Sequence, residues 1–467
     1  MSKYFIDPSI EFTPQQLYDY VDDFKSGSEY QRLINLEKYY KANNTTIMNR
    51  KKSLNDDINN KLVSGYPRYV TTMATGYFIG GAESVDYIFP VKNELIESNF
   101  RYNDERFVTT NLAKNASIYG YAVEQYFIDK EGVFRFKEID PKNVILLFED
   151  NIDEDLLAVV KFREYTYTKA DKNEAIKTVL EFYNAEKYCE YTFMDGTYIP
   201  ASTIEEPNVF MDVPFTYYEN PDRLGDFENI ISLIDAYDKA LSDNSNLFEY
   251  YNDCYIVFKG CELDTEDVKL KDMKGLNVPA DADVFYLQKP QVSGDLMNFL
   301  ETLRKDIHKF SLVPDLTDKD FLNAASGTAM RLKLQGLEFL TGIKESNFRK
   351  GLTRRLELLG NYLSLSNNAF EFDKALIVFK RNTVESLSEI LDSAIRLKGI
   401  ISDESVLDLI PCVDTEEELK RLKKQKEKNM MEFNMQNNVN DFFSKDDHNA
   451  NKKELNDEEV EIEEDDE

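Results

Sequence analysis

The sequence DFENIISLIDAYDKALSDNSNLFEYYND, at residues 226–253, predicts a long amphipathic helix in the middle of the chain. Its apolar side chains recur at the spacing of one helix face, and Asp226 is a candidate N-cap. The apolar stripe consists of Ile230, Leu233, Ile234, Tyr237 and Leu241. The opposite face is acidic, and a solvated surface is the ordinary explanation for such a face. Its acids include Asp235, Asp238 and Asp243.

A small module and a second helix follow. CYIVFKG and DVFYLQK predict a strand at each end of residues 254–292. SGDLMNFLETLRKDIHKFSL predicts a helix that begins at Ser293 and ends before Pro314. Two helices that flank a compact module resemble a stalk with a tip. A helical hairpin with a β insertion describes the same pattern without implying any function.

The next stretch, PDLTDKDFLNAAS, predicts an Asp-rich loop. Beyond it lies the longest helix signal of the chain, residues 326–363, with Ser326 as N-cap and an apolar stripe that runs from Met330 to Leu359 and includes Ile343. Cations outnumber acids on this helix. They are Arg331, Lys333, Lys344, Arg349, Lys350, Arg354 and Arg355.

The N-terminal half combines helices with a run of strands. Thr13 and Pro14 predict the start of a first helix, and a second begins near Ser28. NNKLVSGYPRYVTTMATGYFIGG predicts a third helix that is kinked or broken around Pro67. GYAVEQYFID and VFRFKEID then predict a hairpin with Gly132 in its turn, followed by further strands. Helices followed by a meander predict an α+β fold that is mainly helical, and not a doubly wound one.

The C-terminal part and the overall charge limit the function. ALIVFKRN predicts a last strand, ESLSEILDSAIRLKG and DTEEELKRLKKQKEK predict helices, and Glu454–Glu467, with ten acids and no base, predicts a disordered tail. The chain has 56 Lys and Arg against 87 Asp and Glu, a formal net charge of −31. This balance argues against a protein that grips phosphates through a basic face, but not against one past which nucleic acid slides.

Motifs of enzymes are missing from the sequence. Four cysteines form no CxxC pair, and neither a P-loop nor an HExxH motif occurs. Of two histidines, His308 is expected on a helix surface. Asp315, Asp318 and Asp320 could hold Mg²⁺, although their spacing is unspecific. We therefore predict no catalytic residues, no cofactor and no metal site.

A membrane location is not expected. The longest uncharged run, Tyr69–Ala82, has 14 residues, fewer than the roughly 20 that span a bilayer. The start of the sequence lacks the basic and apolar regions of a secretory signal. We expect a soluble intracellular product.

The order of these segments resembles a known family, the phage portal proteins of the long-tailed siphovirus type. LINLEKYYKANNTTIMNRKK leading into NNKLVSGYPRYVTTMATGYFIGG is similar to the N-terminal helices of that family. The stretches 220–260 and 293–359 resemble sequences of that family in residue types, spacing and order. Together the three stretches span most of residues 30–360.

The resemblance implies an architecture with named parts. These are a wing (1–225), two stem helices (226–253 and 293–313), a clip (254–292), a tunnel loop (314–325), a long wing helix with a closing strand (326–383), a helical crown (384–428) and an acidic tail (429–467). The residues that it places in the tunnel loop, facing DNA, are Asp315, Thr317, Asp318, Lys319, Asp320, Phe321, Leu322 and Asn323.

The resemblance also implies a function and partners. The chain would form a homo-oligomeric ring, usually of twelve subunits, at one vertex of the capsid, through which double-stranded DNA is packaged and later ejected. Expected partners are a packaging terminase ATPase on the clip, major capsid and scaffolding proteins around the wing, and a head-completion adaptor. The expected location is the virion, with host cytoplasm as the place of assembly.

Two hypotheses assign roles in the implied ring to the acidic and basic faces of the predicted helices. The acidic face of the first stem helix, with Asp235, Asp238 and Asp243, is predicted to line or border the channel, because acidic walls do not trap DNA. The basic helix either pairs with acids of the next subunit or touches DNA. We favour subunit pairing through Arg349, Lys350, Arg354 and Arg355, since a head-to-tail ring needs two unlike surfaces.

Two other readings of the sequence remain open at this stage. The first is a metal-dependent nucleic-acid enzyme that uses clustered carboxylates. The second is a helical intracellular scaffold that forms no closed ring.

Overall fold

The structure is a computed structural model, and it describes residues 4–51, 58–81, 84–90, 93–168, 174–252, 256–259, 281, 283–286, 293–318, 327–365, 370–381, 387–408, 410, 413, 415 and 417–431. The chain divides into two units, Met1–Asn382 and Thr383–Glu467. Helices and antiparallel sheets occur together, with helices in the majority. The predicted α+β class is therefore confirmed.

In the described residues the helices are α1 (Pro14–Ser26), α2 (Ser28–Tyr40), α3 (Thr45–Met48), α4 (Tyr66–Ile79), α5 (Glu94–Tyr102), α6 (Glu105–Tyr119), α7 (Ile231–Asn252), α8 (Ser293–Ser311), α9 (Gly327–Ser364), α10 (Leu387–Leu397) and α11 (Asp403–Asp408). A further helical run covers residues 417–431. The strands are β1 (Tyr4–Ile6), β2 (Val85–Ile88), β3 (Tyr121–Ile128), β4 (Phe134–Ile139), β5 (Val144–Glu149), β6 (Leu156–Thr168), β7 (Glu174–Asn184), β8 (Lys187–Met194), β9 (Thr197–Tyr198), β10 (Ile204–Pro207), β11 (Phe215–Glu219), β12 (Ile256–Lys259), β13 (Asp283–Tyr286) and β14 (Leu376–Phe379).

Local signals set the N-terminal helices. The Thr13 hydroxyl accepts a hydrogen bond from the Gln16 backbone N–H, and the Gln16 side chain accepts one from the Thr13 N–H at 2.9 Å, which completes a capping box. The predicted interruption around Pro67 is present, because residues 58–65 are not helical. α4 begins at Tyr66, so Pro67 lies in the first turn, where its missing N–H costs no intrahelical hydrogen bond.

Two helices between α4 and the first hairpin, α5 and α6, were not predicted. α6 is buried on most of its circumference, including Val108, Leu112 and Ala116, so it shows no clear division into a polar and an apolar face. It ends at Gly120, whose φ of +85° suits glycine. A Cβ at Gly120 would also overlap the Arg223 carbonyl, so two constraints require glycine there.

The strands form the predicted meander. β5, β6, β7 and β8 pair antiparallel in sequence order, with β1 added parallel to β5 and both β9 and β10 paired with β8. β3 and β4 form the predicted hairpin, and β11 pairs with the other edge of β3. β14 pairs with β2, so the last predicted strand closes onto a segment almost 300 positions earlier.

The middle of the chain is a helix, a hairpin and a helix. α7 leads to β12, which pairs antiparallel with β13, and α8 then returns along α7. The Asn229 side chain, just before α7, donates to the Phe310 carbonyl near the end of α8 at 3.0 Å, which fixes the two helices as antiparallel. Asp226 does not cap α7, because a short 3₁₀ turn at Glu228–Ile230 precedes this helix.

The long helix α9 buries Leu337, Phe348, Leu352 and the leucines that follow at helical spacing. Ile343 departs from the predicted stripe, since 55% of its surface is exposed. Gly351 brings α9 against the sheet, because a Cβ there would overlap the ring of Tyr218. α9 thus buries more of its residues in its second half, while its first half buries Leu337, Thr341 and Lys344.

A buried ionic network joins α9 to the sheet and to α6. Arg355 has no exposed surface and lies 2.8 Å from both Glu105 Oε1 and Glu124 Oε1. The hydroxyls of Tyr126 and Tyr218 donate to Glu124 Oε2 at 2.7 and 2.6 Å. Burial raises the pKa of both tyrosines well above the ordinary value, so they remain hydrogen-bond donors.

We expect Arg355→Ala to lower the free energy of unfolding by about 3–5 kcal/mol, because it leaves two carboxylates buried without a cation. Arg354→Ala is the matched control. Arg354 is partly exposed and pairs with Asp212 and Glu357, so its loss should cost about 0–1 kcal/mol. Urea denaturation measures both variants. Equal losses would mean that the network does not hold α9.

Candidate functional site

The acidic face of α7 is covered by residues 39–50 and 60–64 of the same chain. Asp238 is fully buried and accepts hydrogen bonds from the Asn44 side chain and the Ser64 backbone N–H, both at 2.8 Å. Asp235 accepts from the hydroxyls of Tyr39 and Thr46 at 2.7 and 2.9 Å. These carboxylates hold an N-terminal segment against the helix.

The same segment continues along α7 towards its end. Arg50 forms an ion pair with Asp243, and the Asn60 side chain donates to Glu249 at 2.6 Å. The position of Asp238 corrects the hypothesis that it lines a channel, since the folded subunit excludes it from contact with DNA. The carboxylates of this face serve internal packing, which the sequence did not show.

Burial raises the pKa of Asp238, against the opposing effect of hydrogen bonds from Ser64 and Asn44. The folded protein then holds this proton more tightly than the unfolded chain, so the contribution of Asp238 to stability falls as pH rises above the ordinary Asp pKa. We therefore expect Asp238→Asn to gain stability relative to the native chain between about pH 4 and pH 7.

The measurement is urea denaturation across that pH range, with the exposed Asp153→Asn as control. The control should show no such trend. A relative loss of stability for Asp238→Asn as pH rises would contradict the assignment.

The start of the predicted tunnel loop is fixed by contacts with α4 and α8. Asp315 Oδ2 lies 2.8 Å from Arg304 Nη1 and 3.6 Å from His308 Nε2. Asp315 Oδ1 accepts from the backbone N–H and hydroxyl of Thr317 at 2.9 and 2.6 Å. The Tyr69 hydroxyl donates to the Pro314 carbonyl at 2.9 Å. Of the other predicted loop residues, Asp318 is described, while Lys319, Asp320, Phe321, Leu322 and Asn323 lie outside the described residues.

His308 is not on an open helix surface, and that prediction is wrong. Its side chain is 12% exposed, and the rings of Tyr66 and Tyr69 meet it edge-on at 5.8 and 5.5 Å between centroids. His308 Nδ1 lies 3.0 Å from the Val313 carbonyl, which only accepts, so this nitrogen donates. Sequence reasoning missed Arg304, His308 and Tyr69 as the residues that hold the loop.

A small cavity of about 270 Å³ opens beside these residues. Its lining mixes cations with acids and consists of Arg304, Lys305, His308, Pro314, Asp315, Asp318 and Lys333. Within the described residues no group of three His, Cys, Asp or Glu could hold a metal ion. Arg304 already neutralises Asp315, so nothing in the described part of the chain favours the metal-dependent enzyme over the other readings.

Burial alone would raise the pKa of Asp315, but hydrogen bonds from Thr317 and the neighbouring His308 and Arg304 bring it below the ordinary value. Its stabilising contacts are therefore fully present above the ordinary Asp pKa and are lost as pH falls. We expect Asp315→Asn to speed amide exchange of residues 313–318 roughly fivefold near pH 7, equivalent to about 1 kcal/mol.

Hydrogen–deuterium exchange of the variant, expressed as a ratio to the native chain at each pH, measures this effect. The ratio should approach one as pH falls through the lowered pKa of Asp315, where the native carboxyl becomes uncharged. Asp306→Asn is the control, because Asp306 lies on α8, the helix that carries Arg304 and His308. A ratio that does not change with pH would show that the charge of Asp315 has no part in holding the loop.

Most predicted interface cations of α9 have partners within the subunit. Arg349 lies 2.7 Å from Glu345 and also donates to the Ile377 carbonyl, and Arg354 lies 2.5 Å from Asp212. Arg355 belongs to the interior network, which corrects its assignment to a subunit interface, because its side chain does not reach the surface. Lys350 is exposed.

Lys344, a fifth cation of this helix, is also buried. It forms an ion pair with Asp226, which accepts a further hydrogen bond from Ser117 and one from Asn220 at 2.9 Å. This pair joins α9 to the segment immediately before α7. The first half of α9 instead exposes a stripe of large apolar side chains, Leu332, Phe339 and Ile343, which recur at the spacing of one helix face.

Comparisons with known proteins agree with the order of these elements. A family model described as "Phage portal protein, SPP1 Gp6-like" matches residues 25–432. The portal protein of Clostridium phage phiCD119 is 25% identical over 335 residues, which cover 67% of this chain and 72% of that protein. The portal protein of Bacillus phage SPP1 is 24% identical over 416 residues, which cover 83% of this chain and 79% of that protein.

The matched region runs from the end of α1 to the helical run at 417–431 and includes the helix–hairpin–helix, the start of the loop and α9. None of the described helices is long and apolar enough to cross a membrane. The resemblance seen in the sequence is confirmed, and the chain belongs to the family of SPP1 Gp6-like phage portal proteins.

Proposed function

We propose that copies of this chain close into a ring, of about twelve subunits by analogy with the family, at one vertex of a phage capsid. Double-stranded DNA enters and leaves through that ring. The observation that carries the proposal is the family match over residues 25–432. The role is structural, and it requires no catalytic residue, metal or cofactor.

The parts of the subunit follow the order of the elements. The wing comprises residues 1–225 together with 326–383, the stem comprises 226–253 and 293–313, and the clip comprises 254–292. The tunnel loop is at 314–325, the crown at 384–428 and the acidic tail at 429–467. The antiparallel contact of α7 with α8 supports the stem, and the β12–β13 pair between them supports the clip.

The subunit contact that we propose differs from the ion pairs expected from sequence. α9 exposes Leu332, Phe339 and Ile343 on one face, and a neighbouring copy would bury them. Lys350 is exposed on the same helix face, seven residues after Ile343, and adds a positive charge that suits an acidic surface of another copy in a chain of net charge −31. Two unlike surfaces of this kind produce a head-to-tail contact, which closes into a ring.

A conduit must confine DNA without holding it. Each phosphate that a fixed cation neutralises releases counterions and creates an energy well along the path. An acidic subunit avoids such wells, and repulsion acts within a Debye length of about 8–10 Å at physiological salt. We propose that the tunnel loop, with Asp315, Thr317, Asp318, Lys319, Asp320, Phe321, Leu322 and Asn323, borders the bore. Arg304 and Tyr69 fix the base of that loop.

The partners follow from this position in the capsid. A packaging terminase ATPase would dock on the clip, and a head-completion adaptor would replace it after packaging. Major capsid and scaffolding proteins would surround the wing. The ring would assemble in the host cytoplasm and remain at the portal vertex of the virion.

We expect Phe339→Glu to prevent ring formation, because a charge in a buried apolar contact without a partner is strongly unfavourable. Ile152→Glu is the control, since Ile152 is 96% exposed between β5 and β6 and is not part of the stripe on α9. Mass photometry gives the subunit number, and circular dichroism checks that both variants fold. Capsids assembled with the Phe339 variant should lack DNA.

The control variant should give rings and filled capsids. Rings of normal mass from Phe339→Glu would refute the proposed contact surface, whereas monomers from the native chain at micromolar concentration would refute the ring itself.

A further inference from the structure

The helical run at residues 417–431 is a concentration of exposed positive charge in an acidic protein. It has six lysines and arginines against three glutamates. Residues 423–431 are all exposed. Some of these charges have partners within the same unit: Arg421 lies 3.2 Å from Glu418, and Lys426 lies 3.4 Å from Asp403.

Three other lysines share one face of this helix. Lys420, Lys423 and Lys424 are spaced three and four residues apart, and each is exposed. Glu417 and Glu427 are the acids on the same face, and Glu417 lies 3.3 Å from Arg421. On α9, by contrast, Lys344, Arg349, Arg354 and Arg355 all pair with carboxylates of the chain. The lysine face of the 417–431 helix is thus a basic surface that the described part of the chain leaves open to solvent.

An acidic segment of the same chain is opposite in charge to this lysine face. Glu454–Glu467 contains ten acids and no base. Between the end of the helix at residue 431 and this run lie 22 residues, which extended would span about 70 Å. The helix itself is only about 22 Å long. The run can therefore return to the helix, and a tether of this length gives an effective concentration in the millimolar range.

We propose that the acidic run Glu454–Glu467 docks on the lysine face of residues 417–431 in its own chain. The docked tail covers lysines that would otherwise bind DNA phosphates. The tail and DNA therefore compete for this surface, and either can displace the other. The consequence for DNA rests on the proposed function as a conduit, whereas the docking itself does not. A basic helix left uncovered would form an energy well for DNA, and the tail removes it.

The test compares the affinity of the full-length protein for a 20-base-pair duplex at 50 and 200 mM salt. In one variant every acid of 454–467 becomes its amide, which keeps the length of the tail. We expect this variant to bind DNA at least tenfold more tightly at 50 mM salt. Its salt dependence should steepen by about three units, one for each phosphate contacted by a lysine.

A second variant adds Lys420→Gln, Lys423→Gln and Lys424→Gln to the amide tail. We expect these changes to remove the gain in affinity. A gain that persists without the three lysines would show that the tail acts by general repulsion, and the docking proposal would then be wrong. Unchanged affinity in the first variant would also overturn it.

Zero-length carbodiimide cross-linking provides a readout that does not involve DNA. In the native chain, amide bonds should join Lys420, Lys423 or Lys424 to residues 454–467, at a yield that does not change on dilution and falls at 1 M salt. A yield that falls on dilution would indicate docking between copies and would contradict the proposal. Mass photometry measures ring formation separately. The absence of rings would contradict the proposed function. The cross-links would still show whether the tail docks on the lysine face.

Discussion

Two buried cations on α9 hold the first unit together. Lys344 pairs with Asp226 beside the start of α7, and Arg355 pairs with Glu105 of α6 and Glu124 of β3 in the interior. They are eleven residues apart and so project from nearly the same side of the helix. Buried ion pairs add little net stability, but removing one partner is costly, so such pairs fix which surfaces meet. α9 therefore contacts the segment before α7 at one point and the β3 sheet at another.

The first half of α9 differs from the second half in the side chains that it exposes. Its apolar stripe faces outward, while the loop that precedes it is held at its base by Arg304 and Tyr69. A neighbouring subunit that covers the stripe would therefore contact the helix next to the tunnel loop. The acidic face of α7, by contrast, accepts hydrogen bonds and an ion pair from residues 39–50 and 60–64 of the same chain.

The sequence predicted those features that depend on neighbouring residues. The capping box at Thr13, the limits of α8 and the hairpin around Gly132 all follow from local spacing and are present in the structure. Features that depend on distant partners were not predictable. Asp238 meets Asn44 across 194 positions, and Arg355 meets Glu105 across 250. A charged residue of either kind looks like a surface residue until its partner is known, which is why both were assigned to contacts outside the subunit.

Cryo-electron microscopy of the purified full-length chain tests the central claim most directly. The account predicts a closed annulus whose bore admits a B-form duplex and in which the stripe of Leu332, Phe339 and Ile343 is buried against the next subunit. A monomer, an open helical filament or a ring whose bore is too narrow for duplex DNA would contradict it.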